Sequence, residues 1–269
     1  MPAALRHGLL TPASRKPPAL VLYEYPFNEG IRTMLRLEHL FDRLGQLLPR
    51  EAPVDHHFAL VTLFEIMDVA ARADLKSDVL KELERHRNQM QSYRGNAQVD
   101  QTALESMLAH IDQAHHDLNQ QAGKTGQALA GNEWLMSVRS RISIPGGTCE
   151  FDLPAYYAWQ QRDGAHRRHD LTQWVNTMVP LGQALRLLLQ LLRDSGVPHR
   201  VATQAGVFQH SLPQGRSYQL MRLRMDRLDL VPEITGHRLM LSVRLMRADA
   251  EGRLRPAGED SSLEIALCG

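Results

Sequence analysis

The stretch "SIPGGTCEFDLPAYYAWQ" (143–160) brings three kinds of chemistry into one short segment. Gly146 and Gly147 could cradle a phosphate, Cys149 could attack a carbonyl, and Asp152 stands close to Pro154. A phosphate loop needs Gly-Lys-Ser/Thr after its glycines and a strand-to-helix setting, and this segment has neither. Cys149 has no histidine at a spacing that marks a thiol nucleophile, and its surroundings read as a strand, where cysteine is a small apolar side chain. The glycine pair therefore reads as a hairpin turn.

Thirteen histidines make metal binding the next question. His166 and His169 sit among Arg162, Arg167 and Arg168, whose charges oppose a cation. His110 and His115 are too far out of helical phase to share a face, and no His-Glu-x-x-His exists. These histidines, with His56, His57 and His116, read as surface side chains. Acidic residues cluster only as solvated helix charges, such as Glu82 and Glu84 beside Arg85 and Arg87, so nothing isolates a general acid–base pair. The sequence points to no catalytic set, no cofactor and no metal. An enzyme reading survives only as a thiol-dependent hydrolase or transferase that uses Cys149 with a histidine brought near by folding.

Arginine is the remaining reactive letter. The net charge is +1, which does not favour a general nucleic-acid binder. Residues 197–247, however, hold eight arginines against three acids, a local charge of +5, and no lysine. On a strand through "RLRMDRLDL" (222–230), Arg222 and Arg224 point to the same side, so two guanidinium forks would present together. That suits a peptide groove better than an enzyme pocket. A solvated strand face is the plainer alternative, and an arginine-rich nucleic-acid binder is a third; the exposed aromatics that would stack bases are missing.

The elements that would position these residues fall into two groups. From Asn28 to Gln121 apolar residues recur at three- and four-residue spacing, with Asn28 and Asp100 as helix caps. Gly123–Gly131 forms a polar break. "WLMSVRSRISI" (134–144) alternates and reads as a strand, closed into a hairpin by Pro145-Gly146-Gly147 and "TCEF". "LPAYYAWQQ" and residues 170–196 return to helix, with a break or kink at Pro180. Beyond Gly196, short alternating segments are bounded by Gly, Pro or Asp. The expected fold class is α+β: a multihelical domain plus an antiparallel, sandwich-like β domain, with one β hairpin inserted into the helical sequence. The expected boundaries are a mobile, Pro-rich tail over 1–19, a helical domain over 20–133 and 153–196, and a β domain over 134–152 and 197–269. The longest apolar run, "LRLLLQLL" (185–192), is too short to span a bilayer, and the N-terminus lacks a signal-peptide pattern. The expectation is a cytoplasmic protein with no membrane insertion.

Several motifs in order resemble the ZapD family of cell division proteins. They are "LYEYPFNEGIRTMLRLEHLF" (22–41), "DVLKELER" (78–85), "RISIPGGTCEFDLPAYYAW" (141–159) and "ITGHRLMLSVRLM" (234–246). The resemblance covers about residues 20–269. It implies a non-enzymatic homodimer that binds the C-terminal tail of the tubulin-like protein FtsZ. Such a dimer cross-links and bundles FtsZ filaments at the midcell ring, and nucleic acid has no part in that role. The family places the tail in a basic pocket between its two domains. Matched motif by motif, Arg72 in "DVAARADL" and Arg244 in "LSVRLM" fall on basic positions of that pocket. Met240 occupies a third basic position, a departure for which Arg238 is the nearest substitute. Arg36 matches a basic position linked to bundling. Tyr157 and Trp134 stand where the family has a histidine and an arginine, so those two roles do not carry over.

Overall fold

A computed structural model describes residues 20–71, 74–213, 215–237 and 239–269. Its described residues form a helical unit over 28–195 and a β unit that joins 20–27 to 196–269. The expected tail over 1–19, Arg72 and Arg238 lie outside the described residues.

The helical unit begins where Asn28 accepts a hydrogen bond from the Ile31 amide at 2.8 Å and opens α1 (Glu29–Leu47). One stripe of α1, including Leu37, Phe41 and Leu44, is buried. Helix α2 (Pro53–Ala70) starts on a proline, whose missing N–H costs nothing in a first turn. It is apolar on nearly every side and runs through the core. Helices α3 (Leu75–Gln91) and α4 (Gln101–Gln120) pair, and Asp100 caps α4 through the amides of Thr102 and Ala103. After a short α5 (Gln127–Ala130) come α6 (Glu133–Ile142), α7 (Pro154–Gln160), α8 (Gly164–Asn176) and α9 (Val179–Asp194). The helix break expected at Pro180 is present: α8 stops at Asn176 and Pro180 sits in the first turn of α9.

Helix α9 holds the unit together. It packs on α1, α3 and α4, and buries Leu181, Leu185, Leu188, Leu189 and Leu192. Each such side chain contributes about 1.5–3 kcal/mol by leaving water. Gly182 faces the Phe41 ring of α1, where a Cβ would make ordinary contact at 3.4 Å. Arg193 then clasps Glu38 of α1 with two hydrogen bonds of 2.8 and 2.6 Å.

The expected hairpin over 134–152 does not form, and this segment belongs to the helical unit. Asn132 caps α6 by accepting from the Leu135 amide at 3.0 Å. Glu133 lies in its first turn and Arg139 and Arg141 in its last, the charge order that the helix dipole favours. The buried residues are Leu135 and Val138, a helical spacing concealed by the apparent alternation. Residues 143–153 continue as a chain of tight turns, closed by bonds such as Gly147 N–H to the Ile144 carbonyl and Leu153 N–H to the Cys149 carbonyl. Gly146 has a φ of 71°, which explains a glycine there.

The β unit contains two four-stranded antiparallel arrangements. One sheet has the order β1-β4-β8-β2, with β1 (Val21–Pro26), β2 (His199–Ala202), β4 (Leu220–Met225) and β8 (Ser262–Cys268). The other has the order β3-β6-β5, with β3 (Val207–Ser211), β5 (Val231–His237) and β6 (Met240–Ala248), and β7 (Leu254–Pro256) also pairs with β6. Met221, Leu223 and Met225 of the first sheet share a buried core with Leu241, Val243 and Leu245 of the second. This is the sandwich-like arrangement of inward apolar and outward polar residues. The expected start of the helical domain at residue 20 is also corrected: Val21–Pro26 pairs along its whole length with β4, so residues 20–27 belong to the β unit.

Candidate partner-binding surfaces

Alternation puts Arg222 and Arg224 on the outer face of β4, between buried Met221, Leu223 and Met225. Both arginines already have carboxylates across the sheet. Glu24 of β1 is the register partner of Arg222, with its Oε1 3.2 Å from the arginine Nε. The pair is largely covered, at 22% and 16% side-chain exposure. Arg224 donates from Nη1 to Glu264 Oε1 of β8 at 3.0 Å, again in register. The outer face of this sheet is a cross-strand charge lattice, with Arg200 of β2 on the far side of Glu264.

Arg227 and Arg247 are occupied too. Arg227 grips Asp229 with two bonds of 2.8 and 2.7 Å and reaches Glu259 at 2.9 Å. Arg247 donates to the same Asp229 at 2.9 Å and also to Glu259. Hydrogen bonds from Arg227 first, then Arg247, hold the Asp229 carboxyl well below the usual range. The +5 of residues 197–247 is thus met largely by acids elsewhere in the fold. Over 20–27 and 196–269 the sequence has ten arginines and nine carboxylates.

Arg244 differs. It projects from the outer face of β6, opposite Glu233 of β5 and Val207 of β3. Glu233 is 3.8 Å away, and both side chains are more than half exposed, at 55% and 54%. A pair this open and this long is weak, so the guanidinium is available to a ligand. Around it lie Ser242, Thr235 and Gln209, and Met240 is exposed at the start of the strand. Arg36 lies on the solvent side of α1, sharing Glu29 with Arg32 at 3.4 and 3.3 Å. Arg72 and Arg238 are outside the described residues, so these surfaces are built from the other four arginines.

The reactive letters of the sequence find structural roles. Cys149 sits in the turns after α6, and no histidine bonds its thiol among the described residues. No group of three or more His, Cys, Asp or Glu among them could hold a metal. The surface reading is corrected for His56, which is fully buried because it accepts at Nδ1 from Arg167 Nε at 3.0 Å, while Arg167 is itself buried and bonds backbone carbonyls of Glu51 and Gln160. His57 meets the Tyr156 hydroxyl at 2.7 Å, and Tyr156, Trp159, Trp134 and Trp174 form one aromatic cluster. Tyr157 and Trp134, the two departures from the family pattern, lie in or beside this cluster. No helix among the described residues is long and apolar enough to cross a membrane.

Comparison with known proteins agrees with the motifs. The profile of the ZapD family, described as "Cell division protein", matches residues 35–244. A "Cell division protein ZapD" of Ralstonia nicotianae is 51% identical over 251 residues, covering 93% of this chain and 99% of the relative. Proteins of the same name from Ralstonia pickettii and Cupriavidus pinatubonensis are 50% and 51% identical over the same span.

Proposed function

The chain belongs to the ZapD family of cell division proteins, and on that premise we propose that it acts as a homodimeric cross-linker of FtsZ filaments at the midcell ring in the cytoplasm. The single observation that carries the reading is about 50% identity to ZapD proteins along nearly the whole chain. The chemistry supports it in a second way. Each chain offers an exposed, weakly paired guanidinium at Arg244 that can take an acidic peptide, and a two-fold dimer would repeat it. Two equivalent sites on one body are what a filament cross-linker needs. Arg72, by its match to the family's basic positions, is proposed to bind the tail as well, and Arg36 to serve a bundling surface on α1. Arg222 and Arg224 contribute through the charge lattice of the sheet, and Arg238 stands in for the basic residue that Met240 replaces. The protein needs no catalytic group, cofactor or nucleic acid for this role.

Sedimentation of GTP-assembled FtsZ from the same organism tests it, using full-length FtsZ and FtsZ lacking its C-terminal tail. The expected result is co-pelleting with bundles only when the tail is present. Absence from both pellets would overturn the cross-linker reading.

A further inference from the structure

The polar break at Gly123–Gly131 carries no role in the reading above, yet it forms one wall of a cleft wholly inside the helical unit. The cleft, about 360 Å3, is lined by Met67 and Ala71 at the end of α2, by Lys124, Thr125 and Gly126 ahead of α5, and by Arg139 of α6. Gly126 has a φ of 80°, and a Cβ there would come within 3.2 Å of Met67 Cγ, so glycine lets the loop lie close against α2.

Thr125 is the unexpected residue. Its side chain is only 6% exposed, and its Oγ1 has no hydrogen-bond partner among the described residues. Buried hydroxyls are nearly always bonded, because an orphan one costs about 1–3 kcal/mol. Beside it the Lys124 ammonium makes no ion pair among the described residues, and Arg139 gives one arm to Asp68. Asp68 is thereby neutralised and Lys124 is left as net positive charge. The lining thus offers one buried O–H donor, cationic donors and an apolar wall of Met67 and Ala71. A small anion on a short aliphatic stem satisfies all three.

We propose that this cleft binds a carboxylate, the Asp or Glu side chain of an acidic peptide. Thr125 Oγ–H donates to one carboxylate oxygen, Lys124 neutralises the charge, and the stem packs on Met67 and Ala71. The proposal rests on the cross-linker reading only for which peptide delivers the carboxylate, the FtsZ tail. A free dicarboxylate carries the same chemistry.

The test uses the full chain, with Thr125→Val and Lys124→Gln as variants. The valine keeps the shape of the side chain and removes the orphan hydroxyl; the lysine change is on the surface and leaves the fold intact. Two probes are titrated: a labelled FtsZ tail peptide followed by anisotropy, and glutarate followed by calorimetry. If the peptide is the source, both variants weaken its binding by roughly five- to tenfold. If the peptide binds equally to all three proteins, the cleft proposal is overturned while tail binding stands. If only glutarate binds, and the variants weaken it, the cleft stands with a free dicarboxylate as its ligand and the tail reading falls. Binding of neither probe overturns both.

Discussion

Arg222 of β4 stands directly opposite Glu24 of β1, 3.2 Å from its carboxylate, although the two are far apart in sequence. This pairing separates arginines that hold the β unit together from those left open to a ligand. Removing Arg222 takes from a mostly covered carboxylate the guanidinium that stands beside it across the sheet, which costs about 1–3 kcal/mol. Arg222→Ala should therefore lower the urea-unfolding free energy by that amount. Arg244→Ala, which removes a long exposed pair, should change it by less than about 0.5 kcal/mol. Equal losses in the two variants would remove the distinction.

Arg244 makes the complementary prediction for binding. Reversing its charge with Arg244→Glu should weaken the FtsZ tail about ten- to a hundredfold, the cost of roughly 1.5–3 kcal/mol for a charge-assisted contact. Thermal melting should fall only slightly, through the like charge placed opposite Glu233, because the side chain is not part of the core. An unaltered tail affinity in anisotropy titrations would take Arg244 out of the site.

Much of the fold was legible because its signals are local. Asn28 and Asp100 announce α1 and α4 as caps, and the alternation of Met221, Leu223 and Met225 announces β4. Strand β1 was missed because its partner lies across the whole chain: Leu22 pairs with Arg224. The Val-Leu-Tyr-Glu-Tyr alternation was the one local hint of it. Helix α6 was misread because Met136, Val138, Ser140 and Ile142 mimic a strand; the cap at Asn132 was the signal that discriminates. Charge was the least legible feature. Strand order decides that Glu24 and Glu264 neutralise Arg222 and Arg224, and no composition window contains that order. The orphan hydroxyl of Thr125 likewise exists only after folding.

Histidines give the stability a pH dependence near neutrality. Burial holds His56, His57 and His86 below their ordinary 6.5; for His56 the charges of Arg167 and Arg168 add to this, against opposing effects of Arg50 and Asp55. In the folded chain they stay neutral where the unfolded chain takes up protons. The unfolded state therefore binds more protons below about pH 6.5, and stability falls as pH drops from 7.5 to 5.5. The acids held low, Asp163, Asp229, Asp249 and Glu105, act only below their ordinary values of 3.8 and 4.5, outside this window. His57→Gln, which can still bond Tyr156, should show a smaller fall in urea midpoint than the parent. An identical fall would exclude His57 as a contributor.

Cys149 tests the enzyme alternative cheaply. It lies in a turn with no histidine bonded to its thiol among the described residues. Cys149→Ala should leave filament bundling in the sedimentation assay unchanged, whereas abolished activity would revive the thiol mechanism.

The two adjacent glycines should respond differently to the same change. A Cβ on Gly146 meets nothing within 4 Å among the described residues, so Gly146→Ala carries the strain of its φ of 71°, about 1–2 kcal/mol. A Cβ on Gly147 would lie 2.7 Å from the Arg141 carbonyl oxygen and 2.9 Å from Ile144 Cβ. The backbone of α6 cannot yield as a flexible side chain would, so the turn itself has to open. Gly147 N–H bonds the Ile144 carbonyl and Ile144 N–H bonds the Arg141 carbonyl, and displacement at Gly147 strains both closures. Gly147→Ala should therefore destabilise the chain by more than Gly146→Ala, by about 3 kcal/mol or more in urea unfolding. A flexible hairpin tip would tolerate alanine at Gly147 at least as well as at Gly146, so the reverse order would restore the strand reading of this segment.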